Sequence, residues 1–232
     1  MHDPHAPPLS IIVPTLDEAG TIAATLDALR AYRERGAEVI VVDGDSRDAT
    51  AELAGPLATR VAVVAPGRAR QMNAGARLAR ARRLLFLHAD TRLPPDADRH
   101  IAAALAGRHH WGRFDIRLAG RHRLLPVIAR AMTLRSRLTG IATGDQALFM
   151  TREAFDTVGG FPDQPLMEDI EMSRRLKQLS RPACLPGPVV SDGRRWARQG
   201  AWRTILLMWW LRYRYWCGTP PARLARHYHD VR

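Results

Sequence analysis

SIIVPTLDEAG (residues 10–20), VVDGDSRDAT (41–50) and FLHADT (86–91) are the stretches from which the fold can be read. Each is a short apolar run that breaks into a polar, acid-bearing cluster, the pattern of a buried strand followed by a loop. The strands are read at Leu9–Val13, Val39–Val42 and Leu84–Leu87, with a further one at Val61–Val64. Between them Ile22, Leu26 and Leu29 recur at helical spacing up to Arg33, a short helix runs through Leu53, and another covers Gln71–Ala81. Alternating strands and helices predict an α/β fold, a mostly parallel sheet with helices on both faces.

Such sheets bind ligands beyond the carboxyl ends of their strands. The clusters Thr15-Leu16-Asp17-Glu18, Asp43-Gly44-Asp45-Ser46 and His88-Ala89-Asp90-Thr91 all fall there. Acidic loops repel phosphate on their own but hold it through a divalent cation, for which carboxylate oxygens are natural ligands. Against this stands a plainer use of Asp43, Asp48 and Asp90 as turn and helix-capping residues.

The 232 residues carry a formal charge of +12, and every basic residue but Lys177 is arginine. Residues 107–144 hold eight arginines against Asp115 alone, and residues 194–232 hold nine against Asp230, so the rest of the chain is close to neutral. Basic segments of this kind suit an anionic lipid surface, a phosphorylated substrate or a nucleic acid. Cys184 and Cys217 lie far apart with no CxxC spacing, which argues against a disulfide framework or a zinc site. MHDPHAPP lacks the apolar core of a signal peptide, and the longest apolar run, Ile205–Leu211, is far too short to span a bilayer. The expected location is cytoplasmic, peripheral on the inner face of the cell membrane.

SIIVPTLDEAG, VVDGDSRDAT, GRARQMNAG (67–75), FLHADT, PLMEDIEMSRRL (165–176) and DGRRW (192–196) occur in the order seen in family 2 glycosyltransferases, and the chain resembles that family over nearly its whole length. It looks closest to the radical-SAM/selenodomain-associated transferases, a small bacterial subgroup similar to diaponeurosporenoate glycosyltransferases. The resemblance implies a GT-A fold, a nucleotide-sugar donor (usually a UDP-sugar), a divalent metal (Mn²⁺ or Mg²⁺) and an inverting displacement. It implies that Pro14, Thr15 and Glu18 line the nucleoside pocket and that Asp43 accepts a hydrogen bond from the base. Arg68 stands where the family more often has lysine, and with Arg70 it would bind the pyrophosphate; Asn73 and Gly75 match the N-x-G near the nucleotide. FLHADT departs from the family's D-x-D metal motif, with His88 in place of the first aspartate. Asp90 remains as the metal carboxylate, while His88 either ligates the metal or acts on the sugar. Asp169 would be the general base, in a helix that begins at the acid pair, with Glu168 orienting Asp169 or the acceptor. Arg195 and Trp196 match a motif that meets diphosphate and acceptor in processive members, whereas Asp192 replaces its glutamine; transfer of a single sugar is expected.

On these readings residues 1–192 form the transferase domain, with a donor half at 9–92 and an acceptor half at 93–192, and residues 193–232 form a helical extension. If 201–217 are helical, Trp202, Leu206, Trp209, Tyr213 and Trp216 share one stripe, with Arg203 and Arg214 to one side and Arg212 to the other. That arrangement suits a helix lying in a membrane interface, or a stripe packed on the domain. In 124–138, Leu125, Ile128, Met132 and Arg135 also recur at helical spacing. A lipid-like acceptor at an anionic membrane surface follows. A nucleotidyltransferase would carry a Gly- and Arg-rich phosphate loop where PTLDEAG stands, and a nucleic-acid binder would not gather acids at the strand ends.

Overall fold

The computed structural model describes residues 6–193 and 200–229. Eight strands form one mixed sheet: β1 (Ser10–Thr15), β2 (Glu38–Asp43), β3 (Arg60–Val63), β4 (Arg83–Phe86), β5 (Thr91–Arg92), β6 (Trp111–Ala119), β7 (Leu148–Thr151) and β8 (Ala183–Asp192), in the order β3-β2-β1-β4-β7-β6-β8-β5. β1 to β4 are mutually parallel, as read; β7 enters antiparallel to both β4 and β6, and the two-residue β5 closes the far edge antiparallel to β8. One sheet therefore runs through both the 9–92 and the 93–192 halves.

Successive residues of a strand point to opposite faces, and β1 shows how that builds two cores. Ile11 and Val13 join Val39, Val41 and Leu85 on one side, whereas Ile12 joins Ile40, Val42, Leu84 and Phe86 on the other. The first core is covered by α1 (Ile22–Ala28), α5 (Ala97–Leu105) and α6 (Leu125–Thr139). The second is covered by α4 (Arg68–Leu78), α7 (Arg152–Thr157) and α8 (Glu168–Leu176). The helical run read over 22–33 is two pieces, α1 and α2 (Arg30–Glu34), separated at Leu29; the short helix at 53 is α3 (Thr50–Ala54). α4 begins three residues earlier than its apolar spacing suggested, so Arg68 and Arg70 lie in its first turn. Gly75 sits where α4 crosses β1 and β2: a Cβ there would stand 2.4 Å from Ile12 Cγ2, so helix and sheet can meet only at glycine.

Past the sheet, α9 (Ala201–Trp216) and α10 (Pro221–His229) form a hairpin. Leu211 and Leu224 bury Met167, flanked by Leu166, Ile170, Leu207, Met208, Tyr215 and Tyr228. The hairpin is thus seated on the turn that leads into α8. The aromatic stripe faces away from this contact: Trp202, Leu206, Trp209, Tyr213 and Trp216 are 61–83% exposed. Arg212, to the other side of the stripe from Arg203 and Arg214, is partly buried. In α6, Leu125 and Ile128 turn inward, while Val127, Leu134 and Leu138 make an exposed apolar row. No described helix is long and apolar enough to cross a membrane.

Candidate active site

The ends of β1, β2 and β4 converge, and hydrogen bonds stitch their loops together. Asp43, at the end of β2, is buried; it accepts the Thr15 hydroxyl at 3.1 Å, the Ser46 amide at 2.8 Å and the Ser46 hydroxyl. Asp48 accepts from Thr50 and from the amide of Ala19, and the Asp17 carboxylate accepts the Arg47 amide. Glu18 accepts the Thr21 hydroxyl at 2.6 Å, and its carbonyl takes the amides of Thr21 and Ile22 at the start of α1. Pro14 and Thr15 close β1, where the Thr15 carbonyl accepts both Gly44 N and Gln71 Nε2. Gln71, which also donates to the Val42 carbonyl, locks α4 to both strand ends; it was not singled out in the sequence, where its only signal is a polar residue on the inner face of α4.

A small pocket opens beside this platform, lined by Arg68, Met72, Phe86, His88, Gly144, Leu148, Phe161, Glu168 and Asp169. Glu168 and Asp169 start α8 behind Met167, whose φ of 66° is left-handed. The other non-glycine residues with positive φ among those described, Asp17, Asp45 and Ala147, also lie in loops around this end of the sheet. Backbone strain of this sort persists where surrounding structure over-determines it, and it gathers at functional sites. The Asp169 carboxylate is fixed by Gly144 N at 2.9 Å and by its neighbour Ile170 N at 2.7 Å. Arg68 Nη1 stands 3.5 Å from Glu168. Burial alone would lower the Arg68 pKa, but Glu168 first, then Tyr228, Asp169 and Asp90, outweigh it and raise it. The acid pair on α8 and the acid after β4 therefore act on one guanidinium from around one cleft.

Burial, reinforced by Asp169, raises the Glu168 pKa against the pull of Arg68. Burial likewise raises that of Asp90, aided by Asp192 and opposed by the Thr91 hydroxyl at 3.2 Å. His88 is held neutral: burial, with the charge of Arg68, lowers its pKa to about 3. Its Nε2 is buried without a hydrogen-bond partner and lies against Gly144, where a Cβ would come within 2.4 Å of it. Glycine at 144 thus makes room for the imidazole and supplies the amide that orients Asp169.

Residues 10–157 match the family model described as glycosyl transferase family 2. The chain belongs to that family. Like it in fold are the mannosyltransferase PcManGT from Pyrobaculum calidifontis in complex with GDP-Man and Mn²⁺ (25% identity, TM-score 0.57, 81% of this chain and 56% of that one) and S. aureus TarS 1–349 in complex with UDP (20%, 0.63, 79% and 60%) or UDP-GlcNAc (17%, 0.62, 79% and 58%). This chain thus spans less than two thirds of each of those proteins. A comparison with proteins of curated function gave no match.

Two residues expected at the donor of this family 2 chain are engaged elsewhere. Asn73 donates to the Phe161 carbonyl at 2.8 Å and accepts the Phe161 amide at 2.9 Å, tying α4 to the loop before α8. Arg70 pairs with Asp163, Nε lying 3.0 Å from the carboxylate, in an exposed position. Arg195 and Trp196 lie outside the described residues. No group of three His, Cys, Asp or Glu side chains that could hold a metal occurs among the described residues. Asp90 offers a single carboxylate, one of whose oxygens takes Thr91. That donor set fits an oxygen-loving cation whose remaining ligands come from a diphosphate and water.

Proposed function

We propose that this protein is a glycosyltransferase that moves one sugar from a nucleotide-sugar, with a UDP-sugar as first candidate, to an oxygen of an apolar or membrane-borne acceptor with inversion at the anomeric carbon. The observation that carries the reading is a single pocket lined by Arg68, His88, Glu168 and Asp169, in which Arg68 stands 3.5 Å from Glu168 and the Gly144 amide fixes the Asp169 carboxylate. Membership of family 2, and likeness to structures holding GDP-Man with Mn²⁺ or UDP-GlcNAc, support the donor class.

In this reading Asp169 is the general base. The acceptor oxygen attacks the anomeric carbon as its proton passes to Asp169, and the bond from that carbon to the diphosphate oxygen breaks, releasing the nucleoside diphosphate. The amides of Gly144 and Ile170 aim the carboxylate. Thr15, Asp43 and Glu18 shape the nucleoside end, Arg68 meets the diphosphate, and His88 hydrogen-bonds a sugar hydroxyl. Asp90 would hold a divalent cation, Mn²⁺ or Mg²⁺, which when bound neutralises charge on the leaving diphosphate. The exposed aromatic stripe of α9 and the apolar row of α6 support an interfacial position at an anionic membrane. They also support a lipid-like acceptor, of which the carotenoid acids of the resembling subgroup are one example.

The test is release of nucleoside diphosphate from a panel of UDP- and GDP-sugars, with and without Mn²⁺. At least one donor is expected to turn over, and Asp169→Asn should slow turnover by about 10²–10⁴-fold while UDP affinity stays within about twofold. Silence toward every donor, with salt-sensitive DNA binding instead, would replace this reading by the nucleic-acid one.

A further inference from the structure

Two partly buried arginines have no task in the scheme above. Arg135 lies in α6 and Arg212 in α9, the two helices whose outer faces carry the exposed apolar rows. Arg135 Nη1 donates to the Ile141 carbonyl at 3.2 Å, but its Nε and Nη2 are buried with no hydrogen-bond partner, and so is Nε of Arg212. Neither guanidinium makes an ion pair with a carboxylate among the described residues. A buried guanidinium N–H ordinarily finds an acceptor, because leaving it dry forfeits its hydration for nothing. Here three such groups are left over on two like charges near one another.

The charges around the pair give its sign and position. Burial, and after it the charge of Arg212, brings the Arg135 pKa down to about 10; Asp145 and Asp169 pull it up, and Arg113 adds to the repulsion. One oxygen of Asp145 accepts the Thr143 hydroxyl at 2.5 Å, and burial raises its pKa against the pull of Arg212 and Arg135. Both arginines feel the buried Asp145, yet neither makes an ion pair with it, and three of their buried N–H groups have no acceptor. A phosphate or carboxylate matches the fork of a guanidinium, which donates two parallel N–H bonds to its oxygens.

We propose that Arg135 and Arg212 are an anion-binding pair that grips a phosphate or carboxylate group of the acceptor and sets the attacking oxygen beside Asp169. The proposal rests on the glycosyltransferase reading for the word acceptor, but the anion site stands on the arginines alone. It narrows the acceptor to an anionic amphiphile, with its charged head between α6 and α9 and its apolar part along Val127, Leu134 and Leu138 or the Trp209–Trp216 stripe.

The experiment titrates hexyl phosphate, hexanoate and the neutral hexyl glucoside into the full chain saturated with UDP and Mn²⁺. One of the two anions is expected to bind about tenfold or more tightly than the glucoside, and which one does so names the head group. Arg135→Gln and Arg212→Gln should each weaken that anion about tenfold while UDP affinity stays within about twofold. Arg135→Lys and Arg212→Lys keep the charge but lose the fork, and they should retain binding between wild type and the Gln variants; they decide the matter if the Gln variants fail to fold. Equal binding of the glucoside, or an unchanged anion affinity in the variants, overturns the proposal. So does exclusion of hexyl phosphate by UDP, or a parallel loss of UDP affinity, since either would make the pair a donor diphosphate site. A chain that binds hexyl phosphate through these arginines but no nucleotide would keep the anion pair and overturn the glycosyltransferase reading.

Discussion

Glu38 and Glu168 are buried to the same degree, 5% and 4% exposed, at opposite ends of the parallel strands, and the protein treats them in opposite ways. Glu38 accepts the Ser10 hydroxyl, the amides of Arg80 and Ala81 and, at 3.2 Å, Arg80 Nε. Those donors overcome the cost of burial and hold its pKa below the ordinary value. Glu168 has a looser Arg68 contact at 3.5 Å and an adjacent Asp169, and its pKa is raised. The floor of the sheet satisfies its charge locally; the mouth leaves charge under-compensated, and the left-handed backbone at Met167, Asp17, Asp45 and Ala147 is gathered there too. An end built for stability solvates its own carboxylates, whereas an end built for a ligand leaves part of that work to the ligand.

The contrast can be broken by removing each charge. Glu168→Gln should lower donor turnover about tenfold or more, because Arg68 and Asp169 lose the group that positions them, yet leave the melting temperature unchanged or slightly higher. A clear fall in melting temperature would place Glu168 with the floor instead. Glu38→Gln should do the reverse: about 2 kcal/mol of stability lost, seen as a midpoint shift in urea unfolding, with turnover at saturating donor unaltered. The pH dependence sharpens the same comparison. A carboxyl whose folded pKa is depressed stabilises fully above its unfolded value, near 4.5, and loses that contribution as pH falls through the folded pKa. The stability gap between wild type and Glu38→Gln should therefore be full at pH 7 and narrow below pH 4.5; a gap that widens on acidification would contradict the hydrogen-bond account.

The smallest expected effect concerns the two faces of α9. Trp209→Ser with Trp216→Ser should release the protein from anionic vesicles in a co-sedimentation assay while melting stays within about 0.5 kcal/mol, since both rings are exposed. Leu211→Ala, on the buried face against Met167, should instead loosen the hairpin. If the tryptophan changes destabilise the fold and leave vesicle binding intact, the outer stripe is packing surface after all.

Much of this was legible in the residues. Strands β1, β2 and β4 showed as apolar runs ended by polar turns, because strands covered on both faces must be apolar; β3, at the sheet edge, is partly exposed. The helix beginning at Glu168 and the stripe of α9 followed from spacing alone. Strands β5 to β8 were harder to see, as the runs of β6 and β8 are interrupted by Arg113, Asp115, Pro186 and Gly187 and pair across long separations. Asn73, Arg70 and Gln71 mark the limit within the site. All three fall in a single stretch read as meeting the nucleotide, yet Asn73 staples Phe161, Arg70 pairs with Asp163 and Gln71, not chosen, holds two strand ends.

The linear sequence determined the first four strands, the placing of acids at their carboxyl ends and the amphipathic tail, because these depend on periodicity and on turn chemistry within a few residues. Only the folded chain decided that Gly144 buttresses His88 and orients Asp169, and that Arg68 pairs with Glu168 across the pocket. Those relations join residues tens of positions apart. Their energies arise from burial and Coulomb interaction across the cleft, which no local pattern encodes.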